Sequence, residues 1–411
     1  MSAEGAHTSA KRQKTYDYGS FFKDFLKKEI EKDLLEEAYI SLCRGSSDMV
    51  FRTLEILQTN ALLSEEFSRA SCEVQMFEKY RTDEKPLARI YAAGSIFQNG
   101  IFILKKFLDP QPQVPEDEKQ MEALKKLLNY LLKDHDIALE EESGTCDDAE
   151  WAVIVALHLL SPLTVDGSYT IDDSYDNLTF KPSASSCPCK TGEHGDSEDG
   201  DFDDTSFGWI DGWHGKSDIL INNVSVHLAN MEDDNFKVGS SAVSSSESTP
   251  ETKTSNHQEQ VLAQSIVFSF LQRKENRNNL KHLVPTIGIS KKKIVIYFYD
   301  SEEDVLLGTT ELDLFGYKST ICYDTIVILW LTLNYDIFCT GITDSMKNCK
   351  AEFFTRVGSF LENYRNDVTR NLPKGEYLYQ DETGWTKSGA VEEKISINAD
   401  NEDFGIRMKS L

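Results

Sequence analysis

Gly212-Trp213-His214-Gly215-Lys216-Ser217-Asp218-Ile219-Leu220-Ile221, then Asn222-Asn223, then Val224-Ser225-Val226-His227-Leu228, is the stretch on which the fold reading turns. Two short runs rich in aliphatic and β-branched residues flank a pair of asparagines, which reads as two paired strands. Downstream, Gln258–Arg273 carries apolar residues at 261, 262, 266, 267, 270 and 271, a helical stripe. Leu283–Ser290 and Ile294–Tyr299 alternate like two more strands around a turn of Lys291, Lys292 and Lys293, and Val305–Thr310 suits a further strand. Thr325–Phe338 and Ala351–Leu372 return to a helical pattern, the first apolar nearly all round, as a core helix is.

Upstream the pattern differs. Residues 20–160 read almost wholly as helix. Phe21, Phe22, Phe25, Leu26 and Ile30 recur at three and four spacing, Met49–Leu57 and Phe67–Tyr80 repeat the habit, and Leu87–Leu108 follows Pro86. Met121–Leu132 is leucine-rich, and Asp147–Leu160 opens with acids that suit a helix N-terminus. The order of elements predicts an α+β or α/β class: a helical region over 20–146, then a mixed-sheet core with C-terminal helices over 147–372. Polar tails are expected at 1–19 and 373–411.

The chain has 411 residues, 43 of them Lys or Arg and 69 Asp or Glu, for a formal net charge of −26. A surface that grips nucleic acid or an anionic membrane over its whole extent is basic, so that class is excluded, although a local basic groove is not. Half of the excess negative charge falls in residues 151–250, much of it between Glu193 and Asp204. That run is too polar to offset its ordering entropy, so a mobile insertion is expected at about 183–205, and a Ser-rich one at about 232–257. Residues 251–300 are net positive: Arg273, Lys274, Arg277, Lys281, Lys291, Lys292 and Lys293 form a basic island suited to phosphates. The plainer reading is a solvated helix end and a turn whose lysines discourage edge pairing. No secretory signal is visible and no apolar run reaches the roughly 20 residues that cross a bilayer. An intracellular chain, cytoplasmic or nuclear, neither secreted nor membrane-bound, is the expectation, with its eight cysteines mostly buried.

The glycine-rich turn, Asp218 and its hydrophobic strand resemble the second core strand of the PD-(D/E)XK, or restriction-endonuclease-like, superfamily. The resemblance spans about residues 147–310. It implies an upstream core helix that can hold an acid (here Glu150), a hairpin partner strand carrying Glu-x-Lys, then a helix, often with a glutamine (here Gln260 and Gln264). In such enzymes two carboxylates gather Mg²⁺, which activates water and offsets charge on the phosphodiester, while a lysine orients the nucleophile. This chain departs where Glu-x-Lys belongs: His227 or Leu228 takes the place of the Glu, and Ala229 or Asn230 that of the Lys.

Three functions follow as expectations. The first is a catalytically degenerate nuclease-fold binding module, a pseudoenzyme that takes nucleic acid or protein. The second is an active Mg²⁺-dependent phosphodiesterase with a displaced carboxylate: Asp218 and Glu259 would hold the metal, with Gln264 beside them and Lys216 or Lys274 as the cation. The third is a protein-interaction scaffold unrelated to nucleic acid. Cys187, Cys189 and His194 offer a zinc alternative, completed by His214 or Cys146, although a single Cys-x-Cys is a looser pattern than paired Cys-x-x-Cys. No serine-hydrolase elbow, phosphate loop or dinucleotide fingerprint occurs.

Overall fold

A computed structural model describes residues 18–46, 49–77, 89–132, 139, 146–175, 200–229, 257–276, 283–316 and 320–373. Helices α1 (Tyr18–Phe25) and α2 (Glu29–Arg44) open the chain, and Gly45 ends α2 in the left-handed conformation. Strands β1 (Val50–Thr59), β2 (Glu65–Glu66), β3 (Cys72–Met76) and β4 (Ile90–Ala92) follow, then α3 (Gln98–Phe107), α4 (Glu118–Leu131) and α5 (Asp148–Val155). Next come β5 (Tyr169–Asp172), β6 (Asp201–Asp203), β7 (Ser206–Gly208), β8 (Trp213–Lys216), β9 (Ile219–Ile221), β10 (Val224–Leu228) and α6 (His257–Glu275). The remainder is β11 (Leu283–Ile289), β12 (Lys293–Asp300), β13 (Val305–Gly308), β14 (Leu312–Asp313), α7 (Tyr323–Leu333), α8 (Tyr335–Phe338), α9 (Phe353–Val357), α10 (Leu361–Asn366) and β15 (Thr369–Arg370).

The class is α+β, with a large mixed sheet. Its strands run in the order β3-β1-β13-β12-β11-β10-β9-β5-β6, with β4 added to β1 and β14 to β12. Asn222 and Asn223, at φ 44° and 61°, turn β9 into β10, because a two-residue hairpin needs positive φ at both positions and asparagine tolerates it. From β10 the chain crosses through α6 and returns as β11, parallel to β10. β11 and β12 pair along their whole length around the expected lysine turn.

The sheet separates two cores. On one face lie α1 to α5 and α7, around Phe25, Leu104, Leu128, Trp151 and Trp330. On the other lies α6, between the main sheet and a small second sheet of order β15-β7-β8-β2, with Phe207, Trp213, Phe268 and Tyr364 at its centre. Covered from both sides, α6 buries even Gln264, Ser265 and Ser269. The expected core helix is α7, whose Trp330 indole donates to the Ala123 carbonyl at 2.7 Å.

The helical expectation for residues 20–146 is corrected in part. Met49–Leu57 forms a strand, with Phe51, Thr53 and Glu55 inward and Leu54 only half-buried. Phe67–Tyr80 contains a short 3-10 turn and strand β3, and within Leu87–Leu108 only α3 is α-helical. β1 pairs with β13 through Thr53↔Leu307, so the same sheet draws strands from both sides of residue 146. Asp201–Asp203, in the acidic run expected to be mobile, pairs in parallel with β5 instead. Residues 183–199 and 232–256 of the expected insertions lie outside the described residues, as do residues 1–17 and 374–411 of the expected tails, and His257 opens α6. Ala351–Leu372 is two short helices and a strand, since Glu352 and Gly358 adopt positive φ and interrupt one continuous helix. No helix among the described residues is long and apolar enough to cross a membrane.

Candidate functional site

The hairpin register builds the site. Ile221 faces Val224 and Ile219 faces Val226. One more step sets Asp218, just ahead of β9, against His227 on β10. There His227 Nδ1 lies 2.7 Å from Asp218 Oδ2. The Leu228 amide donates to the same oxygen at 2.7 Å, and the Tyr175 hydroxyl donates to Oδ1 at 2.9 Å. Burial alone would raise the Asp218 carboxyl. The facing His227 charge and hydrogen bond, with the Leu228 amide and Tyr175 hydroxyl, outweigh it and hold the carboxyl below its ordinary range. Burial and the Asp218 charge push the Tyr175 phenol up, so it remains a donor.

The His227 side chain is only 8% exposed. Its ring stacks on His257 from α6, with centroids 5.7 Å apart and planes at 29°. Gln260 Nε2 sits 3.5 Å from Nδ1, at the limit of hydrogen-bond range. The Asp218 contact is much shorter, and it assigns the Nδ1 proton to the carboxylate. Nε2 has no hydrogen-bond partner among the described residues.

Lys216 makes a second polar centre beside the first. Its Nζ is 3.1 Å from the Asp172 carboxylate and 2.6 Å from Asp173. Burial works against this charge, but the two carboxylates outweigh it and raise the ammonium. Asp172 is also held by the Thr205 hydroxyl at 2.8 Å and by the Ser174 amide at 2.9 Å. Its own amide donates to the Asp218 carbonyl at 3.1 Å, tying β5 to the hairpin. Gln264 donates to the Lys216 carbonyl at 3.0 Å from the facing helix.

Asp218, Lys216, Gln260 and Gln264 thus meet at one end of the hairpin, but Glu259 is bound elsewhere. Its carboxylate accepts the Cys72 amide of β3 at 3.3 Å. The helix explains this: 257, 260 and 264 share the stripe toward the hairpin, and 259 is offset by about 100°. Glu150 is also committed, because it closes a capping box with Asp147 at the start of α5. The pairing of Asp218 with Glu259 in one Mg²⁺ site is therefore corrected. Magnesium prefers oxygen donors, whereas both Asp218 oxygens already accept hydrogen bonds and the facing donor is an imidazole, so the residues present do not fit that ion. Among the described residues no group of three or more His, Cys, Asp or Glu is placed to hold a metal. Cys187, Cys189 and His194 lie outside the described residues. His214 directs Nδ1 to the Gly212 carbonyl at 3.0 Å.

The basic island does not form one surface. Arg273 pairs with Glu302 and donates to the Ser301 carbonyl, and Lys274 donates to the carbonyls of Asn366 and Val368 at 2.7 and 2.9 Å. Both contact sets lie toward the Asp300 end of the β11–β12 hairpin. Lys291, Lys292 and Lys293 lie at its turn, roughly 20 Å away along the strands, and Lys293 pairs with Glu311. Arg277 and Lys281 lie outside the described residues.

Sequence reasoning left the residue facing Asp218 open between His227 and Leu228, and the register selects His227. The Asn222–Asn223 turn contained that signal, since a two-residue hairpin pairs 221 with 224 and hence 218 with 227. Tyr175, Asp172 and Asp173 reach the site through strand pairing, and no local pattern announces them. Compared with known families, curated proteins and solved structures, the chain matches none.

Proposed function

We propose that the chain is a catalytically silent relative of the restriction-endonuclease-like nucleases and that it acts as a protein-binding module. The order of elements supports the kinship: α5, β5, the strand β9 that Asp218 immediately precedes, its hairpin partner β10, α6 and the further strand β11 come in the sequence order the resemblance expects, with β6 to β8 inserted before β9.

One observation carries the silent reading: His227 stands across from Asp218 in the place of the family's glutamate, 2.7 Å away. An imidazole there supplies an internal hydrogen-bond donor in place of a second oxygen ligand. Ala229 follows where the family has its lysine. Lys216 is held by Asp172 and Asp173. A protein partner is favoured over nucleic acid because Arg273 and Lys293 are in ion pairs, Lys274 is held by backbone carbonyls, and the chain carries a net charge of −26.

The test is incubation of the purified full chain with plasmid DNA and with single-stranded RNA in Mg²⁺ or Mn²⁺. The expected result is no cleavage above that in EDTA. Metal-dependent cleavage that disappears in Asp218→Ala would overturn the silent reading.

A further inference from the structure

Across the main sheet from α6, the helices leave a cleft of about 520 Å³ between α2, the end of α4 and the start of α7. Leu34, Leu132 and Ile321 supply apolar walls, and Glu31, Glu37 and Asp324 supply three carboxylates. The volume is ordinary for a ligand site, which typically combines apolar walls with a few polar groups. The apolar surface continues outside it. Ile30, one helical turn before Leu34, is 73% exposed, and Leu132 in the wall itself is 38% exposed.

Among the described residues that line the cleft, the charge is one-sided. None of Glu31, Glu37 and Asp324 forms an ion pair with a cation among the described residues. Burial, followed by the neighbouring Glu37 charge, pushes the Asp324 carboxyl up against the opposing hydrogen bond from Ser41. A cation placed here meets three carboxylates, two of which, Glu37 and Asp324, already repel each other beside low-dielectric walls. The face of α2 from Ile30 to Glu37 extends about 10 Å, or two helical turns.

We propose that this cleft seats a basic amphipathic helix of a partner protein, its leucine-type residues against Leu34, Leu132 and Ile321 and its Lys or Arg residues against Glu31, Glu37 and Asp324. An apolar groove with a charged rim is a common way of reading such a helix. The assignment rests on the protein-binding reading above and is independent of the state of the Asp218 centre.

The experiment uses the full chain and a fluorescein-labelled 15-residue helix of leucine and lysine, read by anisotropy. A peptide with glutamate in place of lysine is the control. Binding of the lysine peptide should weaken by about tenfold in Glu31→Lys/Glu37→Lys, as rim charges turn from attractive to repulsive. Asp324→Asn and Leu132→Asp should each weaken it as well. Glu65→Lys/Glu66→Lys, a reversal of the same size elsewhere, should leave it unchanged. Equal loss in the two double variants would mean that the peptide reads net charge alone and would overturn the cleft. So would equal binding of the glutamate peptide, or no binding at all. A dimer of the chain itself that Glu31→Lys/Glu37→Lys dissociates would replace the partner with a second copy. A natural partner bound equally by wild type and Glu31→Lys/Glu37→Lys would remove the cleft while leaving the protein-binding reading in place.

Discussion

His227 Nδ1 lies 2.7 Å from Asp218 Oδ2 across a hairpin whose register is set by Asn222 and Asn223. The carboxylate that the sequence marks for metal chemistry is therefore half of an internal pair, bounded by Tyr175 and the Leu228 amide. Asp218 is 21% exposed and His227 8%, so the pair is shielded from water and salt.

Its pH dependence follows from the direction of the Asp218 shift. The folded carboxyl sits below its ordinary value. Its stabilising contribution is fully present above the unfolded pKa of about 3.9 and is lost as pH falls through the folded value. Asp218→Asn should cost about 2–3 kcal/mol at pH 7, the range for a charge-assisted hydrogen bond in a shielded site. In urea titrations, the gap between the variant and wild type should narrow below about pH 4. A gap that stays constant from pH 7 to pH 3 would contradict the assigned ionisation.

Asn334 holds three backbone groups together between α7 and α8. Its side-chain carbonyl accepts the Val165 amide at 3.0 Å, and its amide donates to Leu163 and Trp330 at 2.8 Å each. Because Asn334 is fully buried, Asn334→Leu strands the Val165 amide and the Leu163 carbonyl, while the Trp330 carbonyl keeps the backbone amide of residue 334. The expected loss is about 3–5 kcal/mol, since a stranded buried polar group costs about 1–3 kcal/mol. Calorimetry and urea unfolding measure it; a loss under 1 kcal/mol would show that these groups find other partners.

Gly208 ends β7 at φ +136°, where a Cβ would lie 2.4 Å from the His214 Cα and 2.6 Å from the Trp213 carbonyl oxygen. Both obstacles are backbone, so no side chain can swing aside. Gly208→Ala should destabilise by about 3 kcal/mol or more through strain and displacement of β8. The loss of near-ultraviolet signal from Trp209 and Trp213 should accompany it. An unchanged melting temperature would refute the close approach of β7 to β8.

Much of the fold was legible where local pattern and burial agree. The Asn222–Asn223 turn, the lysine turn between β11 and β12 and the helix over Gln258–Arg273 all stand as read. The first strand was not legible, because two of its inward residues are Thr53 and Glu55 while Leu54 is half-buried, which blurs the two-residue period. The later interruption at Glu352 and Gly358 depends on backbone geometry that neither residue advertises. At the site, Asp218, Lys216 and Gln264 lie at one end of the hairpin, while Tyr175 and Asp172 arrive through long-range pairing of β5 with β9. Glu259 was misplaced by a single residue step on a helix, which changes the strand it meets.

The split of the basic residues gives a prediction about polyanions. Lys291→Glu/Lys292→Glu/Lys293→Glu should not change retention on heparin or on immobilised DNA at low salt, because the wild-type chain is itself only weakly held. Strong retention of wild type, falling steeply with salt and abolished in the triple variant, would move the partner class to nucleic acid.

The central claim concerns the metal affinity of Asp218, and a Mn²⁺ titration followed by electron paramagnetic resonance measures it directly. With both Asp218 oxygens engaged and His227 opposite, wild type and Asp218→Asn should leave the same amount of free Mn²⁺ at every concentration into the millimolar range. One equivalent of Mn²⁺ bound by wild type and released by Asp218→Asn would contradict the account and restore the metal centre.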